Sequence, residues 1–227
     1  MRRIASWLGG LLLSGLAFAP CASAATISFS CITGNSASDC AIGEQQISAS
    51  LTDLGAGKVR FDFLNTGSDP SAITVIYFDN GTSPSLFGPA TLIDADENGG
   101  HAGVDFTFGS GAPGNLPGGN PIAFTTSPGL IASADNPKPH RGINPGEWLG
   151  IVFALQAAVD FSDVLAQLAS GQLRIGMHVQ SFASGGSESF VNTPYAPVPL
   201  PAAGWLMLSA LAPLWMLRRR GKAQLAA

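Results

Sequence analysis

The fold class is decided by the stretch ISASLTDLGAGKVRFDF, residues 47–63. Apolar side chains occupy every second position before Gly55 and again after Gly57. Successive side chains of a strand point to opposite faces, so this alternation predicts two half-buried strands. The glycines between them are typical of a tight turn, and the stretch is therefore predicted to be an antiparallel β-hairpin.

The same alternation continues outward in both directions. It recurs around Ile27, around Val75, around Phe106 and from Leu173 to Val179, while residues 147–155 are apolar on both faces and predict a central strand. One helix is expected, with Ser162 as its N-cap and Gly171 at its end. Many short strands with one short helix predict an all-β fold, an antiparallel β-sandwich resembling a jelly roll.

The first 24 residues have the features of a secretory signal peptide. Arg2 and Arg3 precede an apolar run, and Ala22-Ser23-Ala24 is a typical cleavage site for signal peptidase. A lipoprotein signal at Cys21 is disfavoured because Pro20 stands where a small residue is needed. We therefore expect an exported protein whose mature domain spans residues 25–195.

Residues 196–227 have a three-part order. Val198-Pro199-Leu200-Pro201 precedes an uncharged apolar segment, and Arg218, Arg219 and Arg220 follow it. A helix over residues 198–217 would reach about 30 Å, the thickness of the hydrocarbon core of a bilayer. The arginines would stop translocation and hold the C-terminus in the cytoplasm. A buried globular helix is disfavoured because the segment is apolar on all sides.

This three-part order resembles the C-terminal sorting domain of PEP-CTERM proteins, in the variant called VPLPA-CTERM. The resemblance covers about thirty residues and implies that an exosortase of a Gram-negative bacterium recognises Val198, Pro199, Leu200 and Pro201. It also implies an association with exopolysaccharide or biofilm matrix. Leu200 stands where the commoner motif has an acidic residue, which leaves the exosortase subclass open.

Two other interpretations of the tail remain. Leu200-Pro201-Ala202-Ala203-Gly204 approaches a sortase signal, but Ala203 replaces the threonine of that motif, and the apolar segment after Gly204 is short for a span. An uncut tail would serve as a simple membrane anchor.

The charge of the mature domain limits the kinds of molecule that it can bind. Residues 25–197 carry all fifteen acidic residues and five cationic ones, a net charge of −10. A surface of this sign repels polyanions, so nucleic acid is not an expected partner. Export also gives Cys31 and Cys40 an oxidising compartment, and the pair predicts a disulfide rather than a metal or redox site.

One acidic segment has the spacing of a calcium loop. Asp94, Asp96 and Asn98 are followed by Gly99, and Asp105 falls at the twelfth position, where such a loop has a bidentate acid. The expected flanking helices are absent from the pattern, and a solvated acidic turn gives the same spacing. Calcium is the one metal that the sequence suggests, and no other cofactor is expected.

The three histidines lack the spacing of a metal site. His101 and His140 are isolated, whereas His178 shares the polar face of its predicted strand with Arg174 and Gln180. That face is expected to be solvated, although an arginine and a histidine together would suit an acidic or sugar ligand.

No catalytic motif is recognisable. A nucleophile elbow and a phosphate-binding glycine loop are both missing from the sequence, and no spacing singles out a pair of carboxylates. We therefore expect a sorted surface protein that is not an enzyme. The alternative is a protein that binds or hydrolyses carbohydrate and is anchored by its tail; an exposed aromatic sheet face would favour a lectin, and a cleft with converging carboxylates a hydrolase.

Overall fold

The computed structural model describes residues 24–80, 85–93, 103–109 and 114–194. In chain order these residues form the elements β1 (Ala24–Cys31), α1 (Ala37–Gln46), β2 (Ile47–Gly55), β3 (Lys58–Asn65), β4 (Ala72–Asp79), β5 (Phe87–Ile93), β6 (Phe106–Phe108), β7 (Ile131–Ala134), α2 (Lys138–Arg141), β8 (Trp148–Leu155), α3 (Phe161–Ser170), β9 (Arg174–Gln180) and β10 (Glu188–Asn192). A short 3₁₀ turn lies at Asn120–Ile122. The predicted sorting tail and residues 1–23 of the predicted signal peptide lie outside these residues, whereas Ala24, the last residue of that peptide, begins β1. No helix in the described ranges is long and apolar enough to span a membrane.

The ten strands of the described residues form a single antiparallel sheet. Its order is β5-β8-β3-β2-β1-β10-β9-β4-β7-β6, and β1 joins the two arms. The arms fold over each other until the two end strands, β5 and β6, come into contact, so the sheet is nearly closed. The antiparallel all-β prediction is confirmed.

A cluster of phenylalanine rings fills the space between the two arms. Phe61 of β3 and Phe153 of β8 meet Phe78 of β4 edge to face, with ring centroids 5.7 and 5.1 Å from Phe78. All three side chains are fully buried. Such edge-to-face contacts add to the hydrophobic burial of each ring. This aromatic cluster fixes the arms face to face.

Alternation predicted most strand faces correctly. The hairpin of β2 and β3 buries Ala49, Leu51, Val59, Phe61 and Phe63, as expected. The strand around Val75 differs from its predicted pattern, because every residue of β4 is buried. Its second face packs in a smaller core that includes Leu116 and Phe124, which come from a loop.

The helix prediction was partly wrong. Helix α3 exists and ends at Gly171, whose φ of 73° favours glycine, but its N-cap is Asp160 rather than Ser162. The Asp160 carboxylate accepts hydrogen bonds from the backbone N–H groups of Ser162 and Asp163. The sequence analysis expected one helix and missed α1 and α2. Helix α1 lacks an apolar stripe, so periodicity could not reveal it.

Cys31 and Cys40 form the predicted disulfide, which ties the end of β1 to α1. Their Cα atoms are 5.4 Å apart. In the chain-entropy description, closing a loop of this length stabilises a fold by about 2–3 kcal/mol. The bond also fits an oxidising, extracytoplasmic environment.

Removing the disulfide is the first stability test. We expect the double variant Cys31→Ala, Cys40→Ala to melt roughly 5–10 °C lower than the wild type, since the unfolded chain regains freedom. Thermal unfolding followed by circular dichroism, with and without reductant, measures the loss. Reductant should lower the melting temperature of the wild type and leave that of the variant unchanged. An unchanged wild-type melt under full reduction would contradict a stabilising bond.

Candidate functional site

Most of the residues that the sequence singled out for sorting or calcium lie outside the described ranges. These are Val198 to Pro201, Arg218 to Arg220, and the acids of the predicted calcium loop before Asp105. Asp105 itself forms an ion pair with Arg141 at 3.8 Å, and both side chains are about half exposed. Calcium binding stays a prediction.

A second group of potential metal ligands lies at the disulfide. The sulfur atoms of Cys31 and Cys40 and a carboxylate oxygen of Glu188 lie within 4.8 Å of one another. Both sulfur atoms are consumed by the disulfide, so neither is a thiolate that could bind a metal. Glu188 instead accepts hydrogen bonds from Thr33 Oγ1 and from the backbone N–H groups of Asn35 and Ser36. Cys31, Cys40 and Glu188 therefore stabilise the fold here and do not form a metal site.

His178 is half-buried within a small polar network. Its Nδ1 lies 3.3 Å from Ser189 Oγ, and its Nε2 lies 3.3 Å from the side-chain amide nitrogen of Gln180. With that amide nitrogen as the donor, Nε2 accepts, and a neutral imidazole with its proton on Nδ1 fits both contacts. Burial lowers the pKa of His178, and the charge of Lys138 lowers it further. Arg174, on the same strand face, contacts Asp79 and the carbonyls of Ile122 and Ala123 rather than this network.

This environment predicts a pH dependence of stability. The unfolded chain takes up a proton on His178 as the pH falls through about 6.5, whereas the folded chain resists it. The contribution of His178 to the free energy of unfolding is therefore fully present above that pH. It decreases as the pH falls toward the lower pKa of the folded state, and below that pKa it changes no further. Urea unfolding between about pH 8 and pH 5 should show a smaller loss in His178→Asn than in the wild type. The exposed His140→Asn serves as the control and should follow the wild type.

A cleft of about 450 Å³ opens beside the end of β4. Its lining comes from the end of β4, from residues 123–128, and from the segment that joins α3 to β9. The loop that contains Leu116 and residues 123–128 is held in place because Leu116 and Phe124 pack against Gly176 of β9. A Cβ atom at Gly176 would lie 2.6 Å from Leu116 Cδ2, so the close approach requires glycine.

The two charged side chains of the cleft bind each other. Asp79 is 5% exposed and accepts hydrogen bonds from Arg174 Nη2 and from the backbone N–H of Thr125. Arg174 Nη1 also donates to the carbonyl of Ile122 at 2.7 Å, and its guanidinium lies 5.2 Å from the centroid of the Phe124 ring. The opposite charges of this pair offset each other, and no other charged side chain is among the described residues that line the cleft.

Asn80 lies between this cleft and a second one of about 590 Å³. Its side chain is buried, and Nδ2 donates to Ser85 Oγ at 3.1 Å. Oδ1 has no hydrogen-bond partner in the described part of the chain. A buried acceptor without a partner costs about 1–3 kcal/mol, so this oxygen calls for an explanation.

The described lining of the first cleft has one carboxylate beside several hydroxyls and amides. Asp79 is the one carboxylate among the described residues that line the first cleft, and it is paired with Arg174. Glycoside hydrolysis by the usual routes needs two carboxylates. The remaining polar groups are hydroxyls and amides, which bind neutral polar ligands.

The sequence analysis missed this cleft. It gave Asp79 and Asn80 no role and did not connect them with residues 123–128 or with the end of α3. The local signal was an acidic residue at the end of a buried strand followed by an amide residue, a pattern that is too common to identify a site.

The aromatic sheet face that would favour a lectin is also only partly present. Trp148 of β8 is half-buried, and the guanidinium of Arg60 covers its ring at 5.3 Å from the centroid. The large apolar side chains that are exposed in the described ranges are Leu54 and Ile122.

Comparison with protein-family models, with curated proteins and with solved structures finds no match for this chain.

Proposed function

We propose that the chain is a secreted cell-envelope or extracellular-matrix protein that an exosortase sorts through the C-terminal tail. The observation that carries this proposal is the order of the tail: Val198 to Pro201, an uncharged apolar segment, then Arg218 to Arg220. Signal peptidase would act at the other end, after Ala24. On this proposal the host is a Gram-negative bacterium, and the mature domain associates with exopolysaccharide or biofilm matrix.

Two features of the domain support this proposal. The Cys31–Cys40 disulfide fits an oxidising compartment. The fold also continues close to the sorting motif, because the backbone N–H of Thr193 donates to the carbonyl of Ser28 at 3.0 Å. From Thr193 a fully extended chain reaches Val198 within about 17 Å. An uncut tail would therefore hold the domain against the membrane, and cleavage would free it.

We further class the fold as a sandwich resembling a jelly roll. The two arms of the sheet face each other across the aromatic cluster of Phe61, Phe78 and Phe153, which supports this description.

Comparing hosts with and without an exosortase tests the sorting proposal. In a host that has the enzyme, an antibody against the domain should detect the protein at the cell surface or in the medium. In the same host without the enzyme, the protein should remain in the inner-membrane fraction because its apolar tail is retained. Equal distributions in the two hosts would refute sorting by an exosortase.

A second candidate function is favoured by the cleft beside Asn80. In this alternative the domain binds or hydrolyses carbohydrate and the tail is a simple membrane anchor. The hydroxyls and amides of the described lining support binding, whereas its one carboxylate, paired with Arg174, gives hydrolysis no support.

A further inference from the structure

We propose that the two clefts on either side of Asn80 form one extended binding site for a neutral, linear glycan. The inference rests on the proposed association of the mature domain with exopolysaccharide, but not on the processing of the tail. It names the site and the chemical class of the ligand.

The charge of the site selects a neutral ligand. Asp79 and Arg174 carry the full charges in the described lining of the first cleft, and they bind each other. The side chains of Thr125, Gln167 and Gln172 also line this cleft and make no hydrogen bond within the described residues. They offer one hydroxyl and two amides, groups that both donate to and accept from sugar hydroxyls.

Asn80 Oδ1 supplies the specific acceptor. The atom is buried, and Nδ2 holds the amide through its bond to Ser85. If the Asn80 side chain rotates, it loses the hydrogen bond to Ser85, and both Oδ1 and Nδ2 become able to bind a ligand. Side-chain rotations of this kind are common on binding. A hydroxyl can donate to Oδ1 and accept from Nδ2 at the same time. A sugar with neighbouring hydroxyls therefore satisfies the oxygen that the fold leaves without a partner.

The second cleft extends the site beyond a single sugar ring. It shares Asn80, Ser127 and Pro128 with the first cleft and adds apolar surface from the exposed Pro89 and the half-buried Phe108. Apolar and aromatic side chains pack against the C–H faces of sugar rings, while polar groups bind the hydroxyls. Both volumes fall within the range of small-ligand sites, roughly 300–1,000 Å³ each. A chain that crosses Asn80 would fill both.

The test uses the full chain after removal of its signal peptide, in a detergent without a sugar headgroup. The probes are the hexasaccharides of glucose and mannose in α- and β-linked series, the matching disaccharides, and the neutral exopolysaccharide of the host. Hexagalacturonic acid tests whether a negatively charged glycan binds, and a Gly–Ser peptide of similar length tests whether the site accepts a peptide. Titration calorimetry measures each Kd.

We expect at least one hexasaccharide or the exopolysaccharide to bind, with disaccharides weaker and the acidic and peptide probes inactive. Asn80→Ala should raise Kd roughly five- to tenfold, the value of about one neutral hydrogen bond or slightly more. It should do so without lowering the melting temperature by more than a few degrees, since it also removes a buried acceptor without a partner. The matched control Asn35→Ala, in an exposed loop, should bind as the wild type does.

Three results would overturn the proposal: no binding of any neutral glycan, binding that Asn80→Ala leaves unchanged, or binding of the peptide in place of the glycans. None of these depends on the tail. A chain that binds glycans normally but keeps its tail would refute sorting alone, and a processed chain that binds none of them would refute this site alone.

Discussion

Replacing Phe78 with alanine is expected to lower the free energy of unfolding by about 3–5 kcal/mol. The ring lies at the centre of the aromatic cluster and contacts Phe61, Phe63, Phe87 and Phe153, with centroid distances between 5.1 and 6.2 Å. The substitution loses hydrophobic transfer energy and leaves a cavity between two arms that are joined through one sheet. A domain of ordinary stability, about 5–15 kcal/mol, would lose a large part of it.

Urea unfolding of the folded domain measures this loss, and Phe161→Ala is its matched control. Phe161 is only half-buried at the start of α3, so the same truncation should cost less than half as much there. Equal losses at the two positions would mean that the facing arms do not depend on the cluster.

Replacing Glu188 with glutamine is expected to have the second largest effect, about 2–4 kcal/mol. The side chain is 1% exposed, and its two oxygens accept hydrogen bonds from Thr33 Oγ1, Asn35 N and Ser36 N. Hydrogen bonds to a charged acceptor are stronger than neutral ones. Glutamine removes the charge and places an N–H where an N–H already points, so the loop before α1 loses its main attachment to β10.

Glu44→Gln provides the control for this prediction because it changes the same kind of group near the same disulfide. Glu44 is exposed and accepts one hydrogen bond, from Cys31 N at 2.9 Å. Its replacement should change the stability by less than about 1 kcal/mol. If Glu188→Gln is equally mild in urea unfolding, the buried carboxylate is not what orders the loop.

Most strands that the sequence revealed show alternation, and β8 was recognised from its continuous apolar run. In β2, β3 and β9 the alternation is regular because one side packs in the aromatic core and the other is polar. Helix α1 and strand β10 have neither signal and were not predicted. Helix α1 has no apolar stripe, and β10 is buried on both faces although it carries Glu188, Ser189 and Asn192.

The buried polar residues of β10 explain why the sequence analysis did not identify it as a strand. Asn192 Oδ1 accepts a hydrogen bond from the backbone N–H of Ile175 at 2.6 Å, and Glu188 binds the loop before α1. Partners of this kind come from segments far away in the chain. The sequence around a strand does not reveal such distant hydrogen-bond partners. Polar residues in a strand therefore indicate an exposed position until the fold is known.

The candidate cleft was beyond sequence reasoning for the same reason. Asp79 and Arg174 are 95 positions apart, and Asn80 meets Ser127 across 47 positions. The tail is the opposite case, since its order of motif, apolar segment and arginines is contained in one continuous stretch. The disulfide could also be predicted, because only one pair of cysteines remains after the predicted signal peptide.

The intact mass of the mature protein from its native host tests the central claim most directly. Secreted and membrane fractions of the wild type are compared with the double variant Pro199→Ala, Pro201→Ala, and with Pro117→Ala, Pro121→Ala as a control at exposed prolines of the domain. Sorting predicts that the secreted wild type and the control end near Pro201, while the tail variant keeps Trp205 to Ala227 and stays in the membrane. Full-length tails in the membrane fraction of all three proteins would contradict the claim and leave a domain with a simple anchor.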